Sequence, residues 1–353
     1  MEGQEGSGRP VEEEALCPEY PLLVRDLQEE RDAPTVRKAL RLGLKLAVSG
    51  GLVAWALSGK NFRLERLGPI LRTAEPWALV LAFLIFVASN FLGALQWGML
   101  LRMQGIHLPF REVVSLYFTG IFFNNFFVGG VGGDAVRVYE VRRSTGRGSA
   151  AFAATFLDRL LGFFTLSVFA CGTVLFLPPL SVSPMMGIGL LVLLTGGLGL
   201  LLSRRASGLV ERLALRILPE TIGERVSRVR EGFLRGRFNL PLLALAWGIS
   251  LGVQFLRVSV HYWTGKALGV HAPLSTFFAF VPLIAVAAAV PVSFGGIGVR
   301  ENFGAFLFRR VGVEPTAAFS MEFLAYLVSL AAGLIGGASF VLRGAKEVRP
   351  VSE

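Results

Sequence analysis

Residues 77–101 read WALVLAFLIFVASNFLGALQWGMLL, 25 positions without one charged side chain. About 20 helical residues cross the roughly 30 Å hydrocarbon core of a bilayer, so this run alone is long enough to span one. It has company. Similar apolar segments recur near 42–58, 113–128, 151–177, 184–202, 240–265, 272–290 and 316–342, eight in all with the first. The 353 residues are 53% hydrophobic and 17% charged, with a mean hydropathy of +0.59; soluble domains sit nearer 45–50% and about 25%. A soluble cytoplasmic or secreted protein is excluded. An all-α polytopic membrane protein is expected.

The charge is unevenly placed. Ten of the 25 acidic residues fall in the first 32 positions, so from Ala33 onward 32 Lys and Arg face 15 Asp and Glu. A basic excess flanking apolar spans reads as the positive-inside signal and as attraction for anionic lipid. It does not read as a nucleic-acid surface, because it tracks no single soluble face. Glu-rich residues 1–36 are expected to form an acidic, disordered cytoplasmic tail, and 344–353 a short C-terminal one. No basic stretch followed by an apolar core opens the chain, so no cleaved signal peptide is expected. Cys17 and Cys171 are too few for a disulfide framework or a cysteine metal cluster. His107, His261 and His271 are too scattered for a zinc site. No metal or other cofactor is expected.

Were all eight segments full spans, the nine arginines from Arg204 to Arg237 would lie opposite the basic flank Arg37, Lys38 and Arg41. The conflict disappears if 113–128 and 272–290 are re-entrant, dipping in and returning as Gly- and Pro-interrupted helices do around an enclosed cavity. Six full spans, two re-entrant helices and cytoplasmic termini result. Residues 203–238 then form a basic amphipathic cytoplasmic segment in which Leu209, Leu213 and Ile217, then Ile222, Val226, Val229 and Phe233, recur at helical spacing. It is either an interfacial pair of helices or a solvated hairpin.

The sequence also repeats. VGGVG at 128–132 matches FGGIG at 294–298, and Ala150, Ala151, Phe152, Phe156, Leu157 and Leu160 recur as Ala317, Ala318, Phe319, Phe323, Leu324 and Leu327. In the topology above one copy enters from inside and the other from outside, the pattern of an inverted repeat with a midplane binding site.

Three constellations can carry function. NNFFVGGVGGDAVR, 124–137, supplies Asn124, Asn125, Gly129, Gly130, Gly132, Asp134 and Arg137. Clustered glycines let the backbone turn and expose N–H groups to an anion, and an arginine adds charge-assisted bonds. A helix break for close packing is the alternative. The string is neither a phosphate-binding P-loop nor a dinucleotide fingerprint. TFLDRLLG, 155–162, puts Asp158 and Arg159 inside an apolar segment, where a charge costs roughly 2.5–3.5 kcal/mol on insertion scales. PVSFGGIGVRENFG, 291–304, offers Gly295, Gly296, Gly298, Arg300 and Glu301, or else an ordinary exit loop. Arg257 and Glu322 complete the set; Arg257 could hold a phosphate or pair with Glu322 or Asp158. His261 reads first as interfacial.

The strings NNFFVGGVGGDAVR, TFLDRLLGFF and VPVSFGGIGVRE, in that order and spacing, resemble the membrane region of the lysylphosphatidylglycerol synthase family over about residues 37–343. In synthase members a cytoplasmic acyltransferase-like domain makes aminoacylated phosphatidylglycerol, and the membrane region is implicated in moving that lipid to the outer leaflet. No such domain follows the last apolar segment. The resemblance therefore implies a non-enzymatic flippase- or scramblase-like translocase in a bacterial or archaeal cell membrane. Its partner would be an anionic or aminoacylated phospholipid, or a lipid-linked substrate. An ion-coupled transporter of a small anionic solute, and a non-catalytic partner of a lipid enzyme, are the alternatives; a homo-oligomer is compatible with each.

Overall fold

A computed structural model describes residues 74–126, 132–176, 240–289 and 296–347, with single positions at 72, 189 and 208. All lie within the unit Val48–Glu353. The tail 1–36, the segments 42–58 and 184–202, the stretch 203–238, and Gly129, Gly130 and Gly295 fall outside the described residues.

The described chain is all-helical: α1 Pro76–Met103, α2 Phe110–Phe126, α3 Gly132–Thr145, α4 Gly148–Phe176, α5 Leu240–Ala267, α6 Leu274–Ala289, α7 Val299–Arg309 and α8 Pro315–Glu347. Four helices carry stretches long and apolar enough to cross a membrane: Pro76–Met103, Gly148–Thr173, Pro241–Ala267 and Pro315–Phe340. At 1.5 Å per residue, the 17 residues of α2 and 16 of α6 fall short of the hydrocarbon thickness. These are the two segments that the charge distribution singled out as re-entrant. The apolar faces of the long helices are not all internal. Trp77, Leu84, Leu245 and Leu334 are each more than half exposed, a surface that water penalises and lipid solvates.

The order long, short, short, long occurs twice. In each set a short apolar helix is followed by a glycine-rich break and a shorter polar helix, α2 then α3, and α6 then α7. Packing follows the same scheme: α1 lies on α5, α2 on α8 as α4 on α6, and α3 on α2 and α4 as α7 on α6 and α8. Exchanging the two sets maps these packed pairs onto one another. Helices α1 and α5 run antiparallel. Glu75 N–H donates to Ala267 O at 2.9 Å and Trp77 meets Trp263 edge-on at 5.6 Å, while Leu100 and Leu101 share a core with Leu243 and Ala246 at the other end.

Two large cores lie among the described helices. Trp97, Leu100, Leu116, Leu157 and Leu161 fill the first, and Phe277, Phe280, Ile284, Phe308 and Met321 the second. Trp97 lies near the end of the apolar run 77–101, where tryptophan is ordinarily interfacial, yet it is wholly buried and donates its indole N–H to Thr155 Oγ1 at 3.0 Å. The bond explains the burial. A buried indole needs an acceptor, and Thr155 supplies one while bonding back to Ala151 O at 2.9 Å.

Two further differences from expectation have physical causes. Helices α3 and α7 cover stretches that carry too many charges to stand out as apolar segments; they are held by packing. The last helix runs past 342 to Glu347, ending in residues that are polar but retain helix propensity.

Candidate functional site

The glycine break before α3 brings that helix close against α2. A Cβ at Gly133 would lie 1.8 Å from Gly120 O, so only glycine permits the approach. Gly133 N–H donates to Asn124 Oδ1 at 2.8 Å, which caps the exposed start of α3 from the end of α2. Asn124 is thus a structural clamp as well as a wall of the cavity described below. Asn125 turns the other way: its amide donates to Ile121 O at 3.1 Å and to Ser329 O at 3.4 Å, joining α2 to α8.

With α3 so placed, four charges from α3 and α4 interlock. Arg137 bonds Asp134 one turn before it, and Arg159 bonds the other oxygen of the same carboxylate. Arg137 Nη1 stands 3.7 Å from Asp158 Oδ2. Adjacent residues on a helix point about 100° apart, yet both Asp158 and Arg159 reach α3, one to each member of the Asp134–Arg137 pair. The result is a chain of alternating sign, Arg159, Asp134, Arg137, Asp158, whose formal charges cancel. Arg137 is 5% exposed, and its guanidinium lies 4.7 Å from the Tyr117 ring centroid and 4.9 Å from that of Trp97. Such cation–π contacts are worth about 0.5–2 kcal/mol when desolvated.

Arg257 of α5 stands beside this chain but outside it. Its Nη2 donates to Tyr117 Oη at 3.3 Å, and its Nε is buried without a hydrogen-bond partner. Among the described residues it makes no ion pair, neither with Asp158 nor with Glu322. Glu322 pairs instead with His261, Nδ1 to Oε2, at 3.0 Å.

A cavity of about 330 Å³ lies beside these groups. Asn124, Asn125, Asp134, Arg137, Asp158, Arg159, Arg257 and Arg300 all contribute to its wall, with Tyr117, Gln96, Gln254 and His261. The wall from α6 is different in kind. Val281, Ile284, Ala285, Ala288 and Ala289 present only apolar surface. The cavity is amphipathic, with fixed charges and aliphatic side chains in one lining.

Of the remaining residues singled out in the sequence, Gly132 opens α3, and Gly296 and Gly298 make the turn before α7. Gly298 has φ +82°, a conformation that side chains resist. Glu301 is 1% exposed and accepts the Gly298 N–H at 2.6 Å, so it closes that turn. None of these four lines the cavity. The sequence reading missed Tyr117, Gln96 and Gln254, which sit in apolar helices with nothing nearby to mark them. It also placed His261 at an interface, whereas the ring faces a buried carboxylate; the pairing spans 61 positions and leaves no local trace.

No group of three or more His, Cys, Asp or Glu side chains is arranged to hold a metal among the described residues. The family model for the lysylphosphatidylglycerol synthase TM region matches residues 43–337. The chain belongs to the lysylphosphatidylglycerol synthase TM-region family. Two relatives are a UPF0104 membrane protein of Pyrococcus horikoshii, 27% identical over 80% of this chain and 92% of its own, and one of Methanothermobacter thermautotrophicus, 26% identical over 76% and 86%. Both are described as membrane proteins, and both are archaeal. No solved structure matches significantly. The match of this TM-region member begins and ends within six residues or so of the span that the three motifs delimited, which identifies the protein as integral to the membrane.

Proposed function

We propose that this member of the TM-region family moves a lipid with an anionic headgroup between leaflets, as a flippase or scramblase without covalent chemistry of its own. The observation that carries the reading is Arg257, which makes no ion pair among the described residues, beside a charge chain whose formal charges cancel, in a cavity whose α6 wall is aliphatic. A phosphate can take the free valences of Arg257 by charge-assisted bonds, and the apolar α6 wall suits the start of an acyl or prenyl chain. The cavity has room for a headgroup but not for a whole two-chain lipid, so the chains would trail into the bilayer.

The paired order of the helices supports a mechanism. If the two sets are related by a twofold that exchanges α1 and α5, their antiparallel course makes the repeat inverted in the membrane. Exchanging the conformations of the two halves would then move the opening of the cavity from one face to the other. In this reading the protein works in the cell membrane with both termini cytoplasmic. A phospholipid, aminoacylated or simply anionic, or another lipid-linked phosphate, is its substrate.

Mass spectrometry of lipids retained by the purified protein tests the reading, comparing the native chain with Arg257→Ala and Arg159→Ala. One anionic lipid, enriched in the native chain and lost with Arg257→Ala, is the expected result. Retention of bulk lipid alone, unchanged by either substitution, would favour a small anionic solute or a role as partner to a lipid enzyme.

A further inference from the structure

The charge chain of α3 and α4 leaves one buried titratable pair unused. Glu322 of α8 is 0% exposed, and its neighbour His261 of α5, with a side chain 16% exposed, lines the cavity. The carboxylate lies on a membrane-spanning helix, where an ionised acid is costly unless a partner compensates it. An arginine would have done so permanently. A histidine does so only while it holds a proton.

We propose that the His261–Glu322 pair is a proton-binding site that couples a pH gradient to movement of the anionic headgroup, an inference that rests on the translocase reading above. The proton comes from water in the cavity and adds to the imidazole; Nδ1 bonds Glu322, so Nε2 is the nitrogen left to exchange with that water. Before uptake the pair carries one negative charge, and after it none. No other bond changes.

The neighbours fix the sign of the coupling. On α5, Arg257 precedes His261 by one turn and therefore shares its face. On α7, Glu301 and Arg300 approach: Gly304 sits so close to Glu322 that a Cβ there would lie 2.6 Å from Glu322 Cγ, and the charges of Glu301 and Glu322 act on each other. On α4, Asp158 and Arg159 belong to the balanced chain, and on α8 Tyr326 stacks with Arg300 at 5.7 Å. Helix α6 carries no charged residue. The charges of α1 and α2 are remote: Ala82 packs beside Ala325, whereas Arg102 ends α1, and Ser115 meets Ser339, which places Arg111 and Glu112 at the far end of α8. Glu322 is therefore a net negative charge near the cation that receives the headgroup. Unprotonated, the pair opposes an anion at Arg257; protonated, it does not. Proton and anion bind together, and linkage makes the effect reciprocal. The lipid travels with the proton.

Two measurements on the full chain test this. The first is NMR of histidine-labelled protein in micelles, where three histidines give three signals and His261→Gln assigns one. The pH dependence of the His261 signal in the native chain should differ from that in Glu322→Gln, because Glu322 is the hydrogen-bond partner of the ring. Equal midpoints would overturn the proposal. The second uses acyl-labelled fluorescent phosphatidylglycerol in proteoliposomes of phosphatidylcholine and phosphatidylglycerol. An acid-outside gradient should accelerate inward movement of the probe by the native chain several-fold, and His261→Gln and Glu322→Gln should lose that response. Movement in the native chain that ignores the gradient would sink the coupling and leave the translocase standing. Absence of movement under any gradient, with the His261 titration intact, would sink the translocase reading and the coupling with it.

Discussion

Asp134 and Arg137, one turn apart on α3, are bonded to each other, and each is also met from α4, Asp134 by Arg159 and Arg137 by Asp158. Two helices are thereby joined by a charge chain whose formal charges cancel. Arg257, which lines the same cavity, makes no ion pair among the described residues and donates to the neutral Tyr117 hydroxyl. The site separates a structural set of charges from one available for a ligand.

Breaking the shared carboxylate should cost more than removing the Asp158 charge. Asp134→Ala removes the carboxylate that Arg137 and Arg159 share, and loss of one partner from a buried pair costs about 3–5 kcal/mol. Asp158→Asn should cost less, since its nearest oxygen is 3.7 Å from Arg137. Thermal unfolding in one detergent compares them. Equal losses would mean that Asp134 is not the hub.

Tyr117→Phe keeps the ring over Arg137 and removes only the hydroxyl that positions Arg257. A net hydrogen bond contributes roughly 0.5–1.5 kcal/mol, so retention of anionic lipid should fall about 2- to 10-fold with little change in unfolding temperature. Lipid titration by native mass spectrometry reads both quantities. A large stability loss with unchanged lipid binding would assign the hydroxyl to the scaffold.

Glycine substitutions should separate sharply by position. Gly133→Ala puts a methyl 1.8 Å from Gly120 O and must push α3 from α2, at a cost of at least about 1–3 kcal/mol. Gly248→Ala meets nothing within 4 Å at an ordinary helical φ and should stabilise α5 by up to about 1 kcal/mol. Expression yield and unfolding temperature of the two variants check the contrast.

These comparisons also mark where sequence reading succeeds. A continuous apolar run such as 77–101 encodes a membrane helix within itself, and a cluster such as GGVGG announces a break, because both signals are local. Asp158 and Arg159 stood out for the same reason: charge inside an apolar run is conspicuous. The partners were not legible. Arg257 meets Tyr117 across 140 positions, and Asn125 meets Ser329 across 204. Such contacts depend on how α2, α5 and α8 cross, which no local pattern states. Helices α3 and α7 were missed because their charged residues, of which Asp134, Arg137 and Glu301 are buried by packing, resemble a solvated loop when read alone.

The paired order of helices implies a topology that labelling can read. Ser144 near the end of α3 and Arg310 at the end of α7 are both exposed and occupy matching places in the two sets. In a variant lacking Cys17 and Cys171, cysteines at these two positions should react with a membrane-impermeant reagent from opposite sides. Reaction of both from one side would contradict the inverted arrangement.

The central claim is that Arg257 receives an anionic headgroup during transfer between leaflets. The most direct measurement is the loss of fluorescence of headgroup-accessible phosphatidylglycerol probe in proteoliposomes treated with an impermeant quencher, without any gradient. The native chain should expose inner-leaflet probe well above protein-free vesicles, Arg257→Lys should retain part of that rate, and Arg257→Ala should lose at least about tenfold, the equivalent of 1.4 kcal/mol. Equal rates for the native chain and Arg257→Ala would contradict the account.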